Sequence, residues 1–196
     1  MKNIPLFFSL AVLVAYAVTA CNHKPAIKTQ TQKTDTISIV KRGEYLVTTI
    51  GCDDCHSPKI MGPNGPEVDM NLRFSGYPSN RPLNKVSTDA FTKGWLTMNG
   101  DLTSAAGPWG VSFSANITSD STGIGTWKEA QFMKAIREGK SKGLDNNRPL
   151  LPPMPWQNFR KLSDDDLKAI FAYLKTTKPV HNVVPQPMPP ADLASK

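Results

Sequence analysis

Five consecutive residues, Cys52-Asp53-Asp54-Cys55-His56, restrict this chain more than any other part of it. Thiols three positions apart lie one helical turn from each other, so each can form a thioether to a haem vinyl group, and the histidine that follows is aimed at the iron. This is the attachment pattern of a c-type haem. Two rival readings are weaker. A thioredoxin-like redox pair expects a βαβ context, which the sequence lacks, and a structural zinc needs four ligands where only His23 and His181 remain as further histidines. The reading is one covalent, iron-containing haem c, with Cys52 and Cys55 as its links and His56 as an iron ligand.

The beginning of the chain says in which compartment these thiols work. A lone Lys2, an apolar run from Ile4 to Val18 and small residues before Cys21 have the layout of a secretory signal over residues 1–20. Val18-Thr19-Ala20-Cys21 resembles a lipobox, in which the cysteine is lipidated and becomes the new N-terminus; an uncleaved apolar anchor and an ordinary signal are the alternatives. With lipid on Cys21, Cys52 and Cys55 are left as a pair, too few for a disulfide framework. The expected location is the periplasmic side of a bacterial membrane, lipid-anchored. Residues 21–37 are polar and without apolar spacing, and read as a flexible tether with a typical reach of roughly 20 Å and a limit of about 50 Å. Residues 186–196 close a proline-rich stretch expected to be extended and poorly ordered. One domain, residues 38–185, lies between these ends.

Formal net charge is +7, of which the signal removes only Lys2. The basic residues are scattered, with no basic block between aromatic residues, so nucleic acid is not an expected partner. No Ser/His/Asp set, metal–carboxylate cluster or phosphate loop is present, and an electron-transfer role is expected rather than an enzymatic one.

Three helical stretches stand out. The first runs from about Ile39 to Gly51, with Val40, Tyr45, Leu46 and Ile50 on one face and Lys41, Arg42 and Glu44 outward. The second opens at Thr126, answered by Glu129 in a capping box, and closes at Gly139, with Phe132, Met133 and Ile136 as its apolar side. The third opens with Ser163 and Asp166 in the same arrangement, places Leu167, Ile170, Phe171 and Leu174 at helical spacing, and stops at Pro179. Between the first two, residues 57–114 carry many glycines and prolines and no convincing helix. Short alternations at Gly94–Met98 and Val111–Ile117 predict small strands. So long an irregular stretch is unusual in a compact domain, and is expected to wrap the prosthetic group.

The sixth iron position needs a second ligand. Met154, in Leu151-Pro152-Pro153-Met154-Pro155-Trp156, is the best placed of Met61, Met70, Met98, Met133, Met154 and Met188, because flanking prolines restrict the backbone and can hold a thioether in place. Met133 is better explained as the apolar face of its helix, and Met188 lies in the tail.

The order helix, CxxCH, long wrap, Met loop, C-terminal helix resembles class I cytochromes c. Arg42-Gly43-Glu44-Tyr45-Leu46-Val47, Asn116-Ile117-Thr118 with Gly123-Ile124-Gly125-Thr126-Trp127, Met154-Pro155-Trp156, and residues Asp166 to Leu174 are similar to the haem domains that accompany periplasmic dehydrogenases. The likeness covers residues 39–185. It departs in haem count, since those subunits often carry several haem domains and this chain has one CxxCH. The resemblance implies a mainly α, class I cytochrome c fold, its N- and C-terminal helices crossing at Gly43 with Tyr45, Ile170 and Tyr173 packed there, together with a long haem-wrapping segment and a short β-hairpin. It also suggests Trp127, Trp156, Asn116 and Arg137 as residues that line the haem or meet its propionates. Asp53 and Asp54, at the variable positions of the pentad, are expected to be solvated.

The resulting expectation is an exported one-electron carrier with a His/Met-ligated haem. Its partners would be redox proteins, with a dehydrogenase as donor and an oxidase or another cytochrome as acceptor, and the membrane reached through lipid. The alternative is a five-coordinate haem protein that senses a gas or reacts with peroxide, with Met154 merely structural. A structural or adhesive lipoprotein remains only for a chain without haem.

Overall fold

The computed structural model describes residues 28–83 and 85–193. The expected signal, residues 1–20, and Cys21 lie outside them. The chain divides into two units at Thr36, and the second, Ile37–Lys196, contains the core and the pentad. Helix α1 is Lys28–Thr49. It starts well before Ile39, so residues 28–37, expected as coil, are helical. The reason is the lack of any breaker: no glycine or proline stands between Pro25 and Gly43, and a helix once nucleated propagates through such a sequence. No helix among the described residues is long and apolar enough to cross a membrane.

Gly51, left-handed at φ 75°, turns the chain from α1 into α2, Cys52–His56. Later in the chain come α4, Glu129–Glu138, the short α5, Trp156–Phe159, and α6, Asp164–Leu174. The cap of α4 differs from expectation. Lys128 is its N-cap residue, in extended conformation, and Thr126 lies outside the helix; Gly139 at φ 65° ends it as the sequence predicts. On α6 the Ser163 hydroxyl does accept from the Asp166 N–H, at 3.1 Å. That helix stops at Leu174, short of Pro179, because the Thr176 and Thr177 hydroxyls bond back to the carbonyls of Tyr173 and Leu174 at 2.7 Å each.

The core forms where Leu46 and Val47 of α1, Phe132 and Ile136 of α4, and Leu167, Ile170, Phe171 and Leu174 of α6 meet Phe74 and Ile124. Each large side chain so enclosed is worth about 1.5–3 kcal/mol. Gly43 brings α1 against α6: a Cβ there would lie 1.9 Å from the Ala169 carbonyl oxygen and 2.7 Å from Tyr173 Cβ. Tyr45 is not part of this packing. It is 59% exposed, on the opposite side of the helix from Gly43 and Val47, and lies under the Arg42 guanidinium.

The long section from 57 to 114 is not an irregular wrap. Strands β1, Lys59–Gly62, and β2, Gly65–Val68, form a hairpin. After the short helix α3, Asp89–Thr92, strands β3, Thr97–Met98, β4, Ser104–Gly107, and β5, Gly110–Phe113, make an antiparallel meander. This lobe buries residues of its own, Tyr77, Ala105, Ala106 and Val111, and only Phe74 of the segment joins the main cluster. Small residues at Ser104, Ala105 and Ala106, buried without a two-residue alternation, hide β4 from a periodicity reading. Buried Asp101 organises the turn before β4, accepting from Thr103 Oγ1 at 2.6 Å and Arg81 at 2.7 Å.

Past α6 the chain is pinned rather than loose. Asn182 is buried and bonds Ser75 O, Tyr77 O and Ser79 N–H at 2.7–2.9 Å, and Met188 exchanges both backbone hydrogen bonds with Val111. A proline-rich stretch can do this because the few N–H groups it keeps fall where an acceptor faces them.

Candidate haem site

Glycine suits the head of the pentad because Gly51 holds a left-handed φ of 75°, which other side chains adopt only with strain. The turn delivers Cys52 and Cys55 to one side of α2, both half-buried and both free thiols. Burial, with the Asp53 and Asp54 carboxylates adding to it, pushes the Cys52 thiol up to about 12; burial also raises that of Cys55. Thiol–disulfide exchange needs thiolate, so the pair is not poised for thioredoxin-like chemistry.

The rest of the pentad is clamped by groups that the sequence did not point to. Asp53 is no solvated carboxylate: it receives Arg73 through Nε at 3.0 Å and Nη2 at 2.7 Å, and the Ser57 hydroxyl at 2.7 Å. Arg73 also donates to the Tyr173 hydroxyl at 3.1 Å, which ties the pentad to α6. Its guanidinium lies over the Phe74 ring at 4.4 Å. Lys59 reaches back to donate to the carbonyls of Asp53, Asp54 and Ser57, satisfying the open C-terminal end of α2. Asp54 is exposed, as expected.

His56 is fixed through both backbone and ring. Its carbonyl accepts from Gly76 N–H at 2.8 Å, and its Nδ1 lies 2.7 Å from the Ala115 carbonyl oxygen. A carbonyl oxygen can only accept, so Nδ1 carries the hydrogen and Nε2 keeps its lone pair free. Burial holds the imidazole below its ordinary value against the opposing pull of the Ala115 bond, so it is neutral at neutral pH. This tautomer leaves Nε2 able to ligate a metal.

Met154 is half-buried on the rim of the core, where Cys52, Trp127, Met133 and Ile117 also lie. Its loop is anchored by Leu150 N–H to Gly139 O at 2.7 Å and by Trp156 N–H to Met154 O at 2.9 Å. The Trp156 ring covers Gly139, where a Cβ would lie 2.4 Å from it, and Arg160 sits over the indole. Of the other candidates, Met61 and Met70 are 80% and 65% exposed, Met98 is in β3 and Met188 pairs with β5, whereas Met133 shares the rim.

Two residues suggested for the propionates are otherwise engaged. The Asn116 amide nitrogen donates to Thr122 Oγ1 at 3.1 Å and Val180 O at 2.8 Å, and its oxygen accepts from Thr118, so the side chain is a brace for the 116–124 loop. Arg137 donates to the Arg160 carbonyl and to Asp164, joining α4 to the start of α6. A cleft of about 290 Å³ between Leu72, Pro78 and His181 contains none of the pentad and not Met154. Two unjoined thiols one turn apart, an imidazole ready to ligate through Nε2 and a rim of half-buried apolar side chains fit a covalently held haem.

The cytochrome c family model matches residues 40–178. The chain belongs to the cytochrome c family, and with it to the haem c proteins of electron transfer. It is similar to the gluconate 2-dehydrogenase cytochrome c subunit of Pantoea cypripedii, 34% identical over 76% of this chain and 24% of that protein. It is also similar to the cytochrome c subunit of the quinone alcohol dehydrogenase of Gluconobacter oxydans, 40% identical over 73% of this chain and 22% of that one. The fructose dehydrogenase cytochrome subunit of Gluconobacter japonicus is 29% identical over 72% of the chain and 22% of its own length. The chain thus spans less than a quarter of the length of each of these relatives.

Proposed function

We propose that this chain is an exported, lipid-anchored carrier of single electrons that holds one haem c through Cys52 and Cys55, with His56 and Met154 on the iron. The observation that carries this reading is the His56 Nδ1 bond to Ala115 O at 2.7 Å, which presents Nε2 as a ligand at the end of an attachment pentad. Bound haem supplies a one-electron ferric–ferrous couple. The chain's own residues then divide the work. Asp53, Arg73 and Lys59 hold the pentad in place, His56 supplies one ligand oriented by the Ala115 carbonyl, the rim side chains exclude water, and Met154 supplies a soft thioether that favours the reduced iron. The close approach of Gly43 to α6 supports a class I crossing of the N- and C-terminal helices. Signal residues 1–20 and lipid at Cys21 would put the domain on the periplasmic side of a membrane. The dehydrogenase subunits among its relatives support a dehydrogenase as redox partner; in this reading it is the donor, and an oxidase or another cytochrome is the acceptor.

The test is spectroscopic and covalent. Haem must survive denaturing electrophoresis in the parent and vanish from the Cys52→Ala, Cys55→Ala double variant. The ferric parent should show the weak far-red band of methionine ligation, and Met154→His should lower the potential by on the order of a few tenths of a volt with haem retained. Rapid carbon monoxide binding and no far-red band in the parent would replace this reading with the five-coordinate one.

A further inference from the structure

Ser112, on β5 of the inserted lobe, touches the methionine loop. Its Oγ lies 2.6 Å from the Pro152 carbonyl oxygen and 3.3 Å from that of Ala105, and Trp109 Nε1 donates to it at 3.3 Å. A hydroxyl has a single proton, and the shorter distance assigns it to Pro152. The indole N–H occupies the oxygen's acceptor side. Ser112 is 8% exposed, so bulk water does not compete for that proton. Among the described residues this is the only side-chain hydrogen bond to residues 151–154. Its donor stands on a rigid base: Ser112 pairs with Ala105 in the meander, and the preceding Val111 exchanges both backbone bonds with Met188.

We propose that Ser112 is a positioning residue for the axial methionine: the lobe clamps the Met154 loop through Trp109, Ser112 and Pro152, and so sets how easily Met154 leaves the iron. The inference rests on the assignment of Met154 as ligand. Moving Met154 away together with its loop breaks this part-buried bond, so the clamp opposes any outside ligand that competes for the sixth position.

Imidazole titration of the ferric, haem-loaded full chain reads this directly. In Ser112→Ala the apparent imidazole affinity should rise about fivefold, the worth of one net hydrogen bond, and the far-red band should weaken while haem attachment and helical circular dichroism stay unchanged. Ser112→Thr, which keeps a hydroxyl, should restore both. Trp109→Phe removes the indole donor without touching the hydroxyl and should shift affinity in the same direction by a smaller factor. Parent-like imidazole binding in Ser112→Ala overturns the proposal, as it does in Trp109→Phe should the serine variant not fold. Met154→Ala separates the two readings. It must bind imidazole far more tightly than the parent; if it does not, the ligand assignment itself fails, and the clamp with it.

Discussion

Gly43→Ala opposes two effects of different sign, and the structure decides between them. On helix propensity alone the change stabilises α1 by about 0.8–1 kcal/mol. Packing runs the other way. The new Cβ would stand 1.9 Å from Ala169 O, 2.6 Å from its carbonyl carbon and 2.7 Å from Tyr173 Cβ. Two of these atoms are helix backbone and cannot rotate aside, so α1 and α6 must separate locally by roughly 1.5 Å to regain ordinary contact. Overpacking of this kind costs typically 1–3 kcal/mol, and an unyielding neighbour puts this site at or above the upper end. The shift also strains the Tyr173 hydroxyl's bond to Arg73, and through it the clamp on Asp53. After subtracting propensity the net loss is about 2 kcal/mol, which for a chain of this size lowers Tm by about 4–8 °C. Thermal melts of the haem-loaded protein followed by far-UV circular dichroism measure it. An unchanged or raised Tm would refute the close helix contact at Gly43.

Asp53→Asn should cost about 1–3 kcal/mol by removing the charge that faces a partly buried guanidinium; a parent-like denaturation midpoint would show that Arg73 does not brace the pentad. Ser163→Ala removes the acceptor for Asp166 N–H and should cost about 1 kcal/mol in urea unfolding, whereas Ser163→Asn should cost little. Acid should loosen the lobe through Asp101. Burial opposes ionisation there, but the Thr103 hydroxyl and Arg81 outweigh it and hold the carboxyl below its ordinary value. A depressed folded value means stability that is complete above the ordinary carboxylate range and is lost as pH falls through the folded value. Unfolding compared at about pH 5 and pH 3 should show this loss in the parent and a smaller one in Asp101→Asn; equal losses would remove Asp101 as its source.

What could be read from the sequence was what repeats at short range. Phe132 and Ile136 of α4 and Leu167, Ile170, Phe171 and Leu174 of α6 declare their faces through helical spacing, and Ser163 and Gly139 mark ends through their side chains or lack of one. The pentad is legible for the same reason. The partner of His56 was not, because Ala115 contributes a backbone carbonyl that any residue owns. Arg73 and Asp53 looked like ordinary surface charges, since what pairs them is a turn of the lobe between positions 20 apart. Tyr45 misled because an aromatic residue next to Leu46 suggests a buried face, while Gly43, with no side chain at all, marks the real one. Two strands of the lobe, β3 and β5, overlap the alternations at Gly94–Met98 and Val111–Ile117, whereas β4 was missed because its small buried residues carry no alternation, and the pairing with Met188 because it is made by backbone alone.

The contact that fixes the His56 ring spans 59 positions of chain, and the lobe fills the gap. Its neck closes where Tyr77 N–H meets Ser114 O and Ile117 N–H meets Phe74 O. Closing a span this long costs only about 1 kcal/mol more in entropy than closing one a third as long, but it delays the event, because distant segments must find each other. The pentad, by contrast, is closed by partners much nearer in the chain, Ser57, Lys59 and Arg73. His56 therefore gains the partner that sets its tautomer only when the neck of the lobe closes. Changes of lobe length beyond the neck leave the His56–Ala115 contact as it is, so this insertion can grow, shrink or acquire new contacts without reorienting the His56 ring.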